Sequence, residues 1–321
     1  MSIMQTRRAA GLAAGFATLA LGLVSCAREG GEEQAALSEA PRSPLVGLAV
    51  DSAERALIRA HARELFISHD EGRRWASVPL GNRPRAGQIA TVAISRPSPG
   101  TVYIAGPGLG ILRSTDRGRS WHSAGNGLPS TEVTAFATHA TRPATLYAVV
   151  KERGLFRTED GGATWVRMEG GPGPDVRHLL HSDMAGSMES GWLFAALPSK
   201  VRRSMDCFCG WRDTGALPDT ASPGAGTLHG LAYDPQRPEH VFVASAPGVY
   251  RTTDGGRSWA LASRTEPAKV ALAFDASTRT LLGGSADGTV FRSADGGRTW
   301  VTVGKDRVDR SDSVGAAAQG P

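Results

Sequence analysis

An eight-residue segment, Ser/Thr-x-Asp-x-Gly-x-x-Trp, recurs six times along the chain at nearly constant intervals, and this repetition limits the possible folds more than any other feature. The copies run 68–75, 114–121, 158–165, 204–211, 252–259 and 293–300, the fourth with Phe208 in place of the glycine. Their aspartates, Asp70, Asp116, Asp160, Asp206, Asp254 and Asp295, stand 46, 44, 46, 48 and 41 residues apart. A period of roughly 40 to 50 residues is that of a four-stranded propeller blade. Each unit carries four short β-rich runs separated by Gly, Pro and Asp turns, such as Val133 to Ala137, Thr145 to Val149, Gly154 to Arg157 and Trp165 to Met168. The pattern predicts an all-β, six-bladed β-propeller over residues 45–303, with one box in the hairpin between the third and fourth strands of every blade. Closure is expected by packing of blade six on blade one.

Within the box each residue type has a structural task. The aspartate accepts bonds from backbone N–H groups of the turn, and the glycine takes a positive φ. The tryptophans, Trp75, Trp121, Trp165, Trp211, Trp259 and Trp300, are expected to bury a large ring against their own hairpin. Residues that occur once per blade hold the blade together, so none of these aspartates is expected to be catalytic.

The segment resembles the Asp-box or BNR repeat of sialidases, sortilin-type receptors and propellers similar to the photosystem II assembly factor. The chain as a whole is most similar to bacterial lipoproteins described as BNR-repeat or glycosyl-hydrolase-like. The resemblance implies that the boxes lie on the face opposite the ligand-binding face. It also raises a glycoside hydrolase of the sialidase-like superfamily as the alternative to a binding protein.

A sialidase needs a nucleophilic tyrosine, and each of the four tyrosines is interchangeable with an apolar residue of a sister blade. Tyr103 and Tyr147 align with Phe194 and Phe242, Tyr250 with Phe156 and Phe291, and Tyr233 with Phe274, which marks all four as core. The arginines Arg113, Arg157, Arg203, Arg251 and Arg292 recur blade by blade and so are spread around the ring instead of converging. Another glycosidase would need two carboxylates about 5 to 9 Å apart across a cleft. Asp51, Asp234 and Asp275 recur as turn residues, and the non-repeating acids Glu132, Asp175, Asp219 and Glu266 have no spacing that brings two of them together. The enzyme reading therefore rests on the resemblance alone.

At the N-terminus, Arg7 and Arg8 precede a soft apolar run that ends at Leu23-Val24-Ser25-Cys26. The run is short for a spanning helix and reads as a secretory signal over 1–25. The ending resembles a bacterial lipobox, which implies lipidation of Cys26 and a membrane-anchored lipoprotein on the periplasmic or cell-surface side. Residues 26–44 and 304–321 are small and polar, and read as a flexible tether and a disordered tail. Loss of Arg7 and Arg8 leaves 34 basic against 31 acidic residues, with no basic block and no interleaved aromatics. Nucleic-acid binding is excluded on that ground, and a monomer is expected.

A binding site has to break the symmetry of the scaffold that carries it. On the face opposite the boxes, non-repeating polar residues gather in the connections between second and third strands and between blades. Those chosen as ligand-face candidates are Arg177, His178, His229 and Lys269, placed at the starts of inner strands, with Glu132 and Asp175 beside them. The fourth blade departs most from the repeat. Its box reads Ser204-Met205-Asp206-Cys207-Phe208-Cys209-Gly210-Trp211, and its long first connection contains Met184 and Met188 after His181. Three readings stand: a Cys207–Cys209 disulfide, two free or otherwise modified thiols, or a Cu(I) site with Met205, Met184, Met188 and His181, since soft thiolate and thioether ligands favour that ion. No cofactor is otherwise required. The expected function is a lipid-anchored platform for a protein or glycan partner.

Overall fold

The computed structural model describes residues 41, 43–81, 86–205, 210–218, 227–266 and 268–303, all within the compact unit Ala36–Pro321. They form six antiparallel sheets of four strands, each sheet built from consecutive strands in chain order. The first strand begins at Leu45 and the last ends at Thr302. The innermost strands are Leu45–Asp51, Thr91–Ile94, Val133–Thr138, His178–Ser182, Leu231–Asp234 and Lys269–Asp275. Each packs beside the next and the sixth beside the first, so the chain is a closed six-bladed β-propeller around a central channel.

The burial gradient across one blade explains the residue types. In blade three the second strand, Leu146–Val150, is buried at every position, whereas the fourth, Val166–Arg167, is exposed. A second strand lies between two neighbouring blades and has no solvent face, so its sequence is a continuous apolar run instead of an alternation. Outermost strands are only two residues long in five of the six blades. Such short edges offer little template for pairing with another chain.

Apolar clusters form between blades. Tyr147 and Val149 of blade three share one with Leu179, Leu193 and Ala195 of blade four. Ring closure uses the same device, because Leu45, Leu48 and Leu57 of blade one pack with Ala271, Ala273 and Leu282 of blade six. The Leu45 N–H also donates to the Ala286 carbonyl at 2.9 Å. Among the described residues no strand is exchanged between the two ends of the ring.

The five described boxes share one hydrogen-bond scheme. In blade three the Asp160 carboxylate accepts from Thr158 Oγ1 at 2.6 Å and from the N–H groups of Ala163 and Thr164 at 2.9 Å, while Thr158 Oγ1 accepts the Gly162 N–H at 3.1 Å. Gly162 has a φ of 95°, and a Cβ there would stand 2.2 Å from the Ala124 carbonyl oxygen of blade two. Glycine is thus required both for the turn and for the approach of the neighbouring blade. Asp206 lies outside the described residues.

The tryptophans do more than the expected picture gives them. Besides touching their own hairpin, as Trp300 Nε1 does in donating to the Gly297 carbonyl at 3.1 Å, they reach the preceding blade. Trp121 Nε1 donates to the Pro79 carbonyl at 3.2 Å, Trp165 to Ala124 at 3.0 Å, Trp259 to Thr214 Oγ1 at 3.0 Å and Trp300 to Ser263 Oγ at 3.2 Å. Trp211 packs on the cluster of Tyr147 and Leu155, and Trp75 of blade one on that of Leu282 and Val290 of blade six. Trp259 is fully buried, whereas Trp121 and Trp165 remain half-buried. Each box is a joint between two blades as well as a staple within one.

Candidate functional site

The six inner strands enclose a channel with a cavity volume of about 310 Å³. Alternate residues such as Val46, Ala93, Leu180 and Phe274 turn into it and are only half-buried, so its wall is largely apolar. Asp51 is the one carboxylate among the described lining residues, and it is fully engaged. It accepts from the N–H groups of Ala53 and Glu54 at 3.1 Å and of Gly100 at 2.7 Å. It is therefore a turn residue, as Asp234 and Asp275 are in their own blades.

Antiparallel order puts the first connection and the box hairpin of every blade at one end of the channel. The N–H groups of Arg117 and Gly161, each in a box, bond to the carbonyls of Gly100 and Ala144 in those first connections, and that of Gly255 bonds to the Glu239 carbonyl near the start of the second strand of blade five. At the opposite end lie the starts of the inner strands, where the ligand-face candidates were expected. Three of them meet there. Arg177 is exposed, and the His178 ring looks into the channel. Removal from water, together with the neighbouring His229 and Arg177, pulls the His178 imidazole down to about 4. Burial and Arg177 likewise lower His229. Neither imidazole nor the guanidinium has an ion-pair partner among the described residues. At neutral pH the mouth therefore presents one fixed positive charge beside two neutral imidazoles, each with donor and acceptor capacity.

Lys269 departs from the expectation. It is 1% exposed and turned into blade six, with Nζ 3.7 Å from the Phe291 ring centroid and 5.6 Å from that of Trp300. The room comes from Gly283, which stands where Val243 stands in blade five; a Cβ at Gly283 would lie 3.0 Å from the Lys269 stem. Burial lowers the amine to about 8, opposed by Asp287. Lys269 is a core cation held on aromatic faces, not a channel-mouth group. Glu132 is half-buried and Asp175 exposed, and neither carboxylate has an ion-pair partner among the described residues.

The blade-four residues proposed as a sulfur cluster have separate surroundings. His181 stacks on His139 at 3.9 Å and Tyr147 at 5.6 Å, and its Nδ1 accepts the Ala140 N–H. Met184 packs against Gly255 of blade five, Met188 is 74% exposed, and Met205 ends the third strand opposite Trp192. Cys207 and Cys209 lie outside the described residues, as do Cys26 and Asp219. Among the described residues no three His, Cys, Asp or Glu side chains gather as a metal site would.

Sequence reasoning passed over Arg96. It follows the inner strand of blade two, at the position filled by Ser52, Ala140, Asp183, Pro235 and Ala276 in the other blades, and lines the channel at the box-side end. Its Nη1 donates to the hydroxyl of Tyr233 in blade five. Tyr233 is buried, as its alignment with Phe274 predicts, yet its hydroxyl is used.

Comparison with solved structures agrees with this architecture. A GH74 xyloglucanase from Xanthomonas campestris superposes with a TM-score of 0.53 at 20% identity, over 79% of this chain and 45% of that one. YCF48 bound to a D1 peptide gives 0.51 at 16% identity, over 81% and 82%, and U3-55K gives 0.58 at 16% identity, over 83% and 82%. This chain spans less than half the length of the GH74 structures it matches. No protein-family model and no curated protein sequence matches it. At these identities the similarity establishes the fold class alone, a β-propeller, and the count of six blades comes from this chain's own sheets.

Proposed function

We propose that this propeller is a binding or assembly platform that takes a protein or glycan partner at the channel mouth opposite the boxes, and that a lipid on Cys26 holds it at a membrane outside the cytoplasm. The observation that carries the reading is the convergence of Arg177, His178 and His229 at that mouth without an acidic partner among the described residues. A guanidinium and two imidazoles freed from internal pairing present donors to carboxylate, phosphate or hydroxyl oxygens of an incoming surface. The neighbours found by shape include one propeller whose structure holds a peptide and one that is a xyloglucanase, which is compatible with a peptide or a glycan as ligand.

The test is binding of the mature chain to peptide and glycan arrays. An Arg177→Ala/His178→Ala/His229→Ala variant should lose the wild-type hits, whereas Arg74→Ala, on the box side, should keep them. Retention of the same hits by the triple variant would place the interaction elsewhere.

A further inference from the structure

At the box-side end of the channel, the guanidinium of Arg96 meets the hydroxyl of Tyr233, and its Cζ lies 5.6 Å from the ring centroid. Blades two and five stand opposite one another in a ring of six, so this bond runs across the mouth like a bar. Arg96 is exposed, has no ion-pair partner among the described residues, and uses one of its N–H donors on Tyr233. A guanidinium carries five such donors in a fixed fork. Asp183 of blade four, half-buried, is hydrogen-bonded to the same hydroxyl and makes no ion pair with the arginine among the described residues.

The remainder of the lumen is mostly apolar, with Thr91, Thr138, His139, His178 and His181 as its neutral polar lining. Val50, Ala93, Leu180 and Phe274 line it, and its one acid, Asp51, is saturated by three backbone N–H groups. A largely apolar tube with one incompletely used cation at its end is the complement of an apolar body with one anionic head. An organic cation would meet the charge of Arg96.

We infer that the channel is a binding site for small apolar carboxylic acids, whose carboxylate docks on Arg96 beside the Tyr233 hydroxyl while the hydrocarbon lies along the lumen. The inner strands, at about 3.3 Å per residue over five residues, give a lumen of roughly 16 Å, long enough for an eight-carbon chain. This site is separate from the mouth at Arg177, and its occupant is a small molecule instead of a surface.

Isothermal titration with octanoate tests it on the mature chain. Octanoate should bind, 1-octanol at least about tenfold more weakly, and octylammonium not at all, since the charged hydrogen bond is the discriminating contact. Arg96→Gln should weaken octanoate by about 10- to 100-fold. Because Arg96 is exposed, that variant should melt with the wild type. Leu180→Trp, which fills the lumen and leaves Arg96 in place, should abolish binding. Equal affinity for octanol, an unchanged affinity in Arg96→Gln, or full binding by a folded Leu180→Trp would each overturn the assignment. Loss of array hits in the Arg177/His178/His229 variant with octanoate binding intact would separate this site from the partner mouth.

Discussion

The box aspartates show how a single residue type stabilises the same turn in blade after blade. Burial opposes ionisation of Asp254, but bonds from Ser258 and Thr252 hold its carboxyl at about 2; Asp70 and Asp295 are held at about 2 in the same way. Bonds from Ser120 depress Asp116 and bonds from Thr158 depress Asp160 still further. An unfolded aspartate titrates near ~3.9. These groups therefore contribute stability that is complete above that value and is lost as pH falls through about 2. His178 acts earlier. Its imidazole stays neutral down to about 4 in the folded chain against 6.5 for the free group, so the unfolded state gains protons first and stability declines as pH drops from 6.5 to 4. Melting temperature measured from pH 7 to pH 2 should fall in two stages, and His178→Gln should diminish the first, to which His229 also contributes, and keep the second. A single stage in wild type would show that the mouth histidine is not held neutral. The box residues were readable from their spacing. Arg96 was not, because its significance depends on Tyr233, 137 positions away, and on blades two and five being opposite. Lys269 misled for a related reason: its position at a strand start was legible, but the space opened for it by Gly283 was not.

Between elements, two devices repeat from blade to blade. The box tryptophan bonds backward to the preceding blade, and the arginine of the third strand reaches forward to the next box. Arg203 donates to the Gly255 carbonyl, Arg292 donates to Glu71 at 3.2 Å, and Arg113 and Arg251 approach Gly161 and Gly296. Blade one carries Ile67 at this position, and the box of blade two compensates with Arg117, which pairs with Glu54 of blade one at 2.7 Å. The fourth and fifth blades give the most direct test, because Trp259 is 7% exposed and packs on Phe194 and Val201. Trp259→Ala should cost about 3 to 5 kcal/mol in urea unfolding through lost burial and the cavity left behind, and Thr214→Val, which removes the acceptor of the indole N–H, about 1 kcal/mol. If Trp259→Ala unfolded like the wild type, the joint would not be the source of stability assigned to it. Periodicity revealed one tryptophan in every blade and one arginine in five of the six. It could not reveal that they face opposite neighbours, since a repeat in one chain looks the same whether its contacts are internal or between units.

At the scale of the molecule, closure without strand exchange makes the seam between blades six and one a joint like the other five. Trp75→Ala should therefore raise amide exchange in both Leu45–Asp51 and Thr280–Ser285, whereas an effect confined to blade one would mean that Trp75 does not close the ring. The anchor has its own check: Cys26→Ser should release the chain from membranes or leave it unprocessed, and unchanged retention with an unchanged processed mass would remove the lipid from the account. The fold was legible because six evenly spaced boxes admit few architectures. The function was less so, because a propeller presents two faces and a channel, and only side chains that break the repeat distinguish them. Binding of array-selected peptides or glycans should be compared among wild type, the Arg177→Ala/His178→Ala/His229→Ala variant and the box-side variant Arg74→Ala, all verified as folded. The account predicts that the first and third bind alike and the second does not; binding lost in Arg74→Ala and kept in the triple variant would put the working face of the propeller on the side of the boxes.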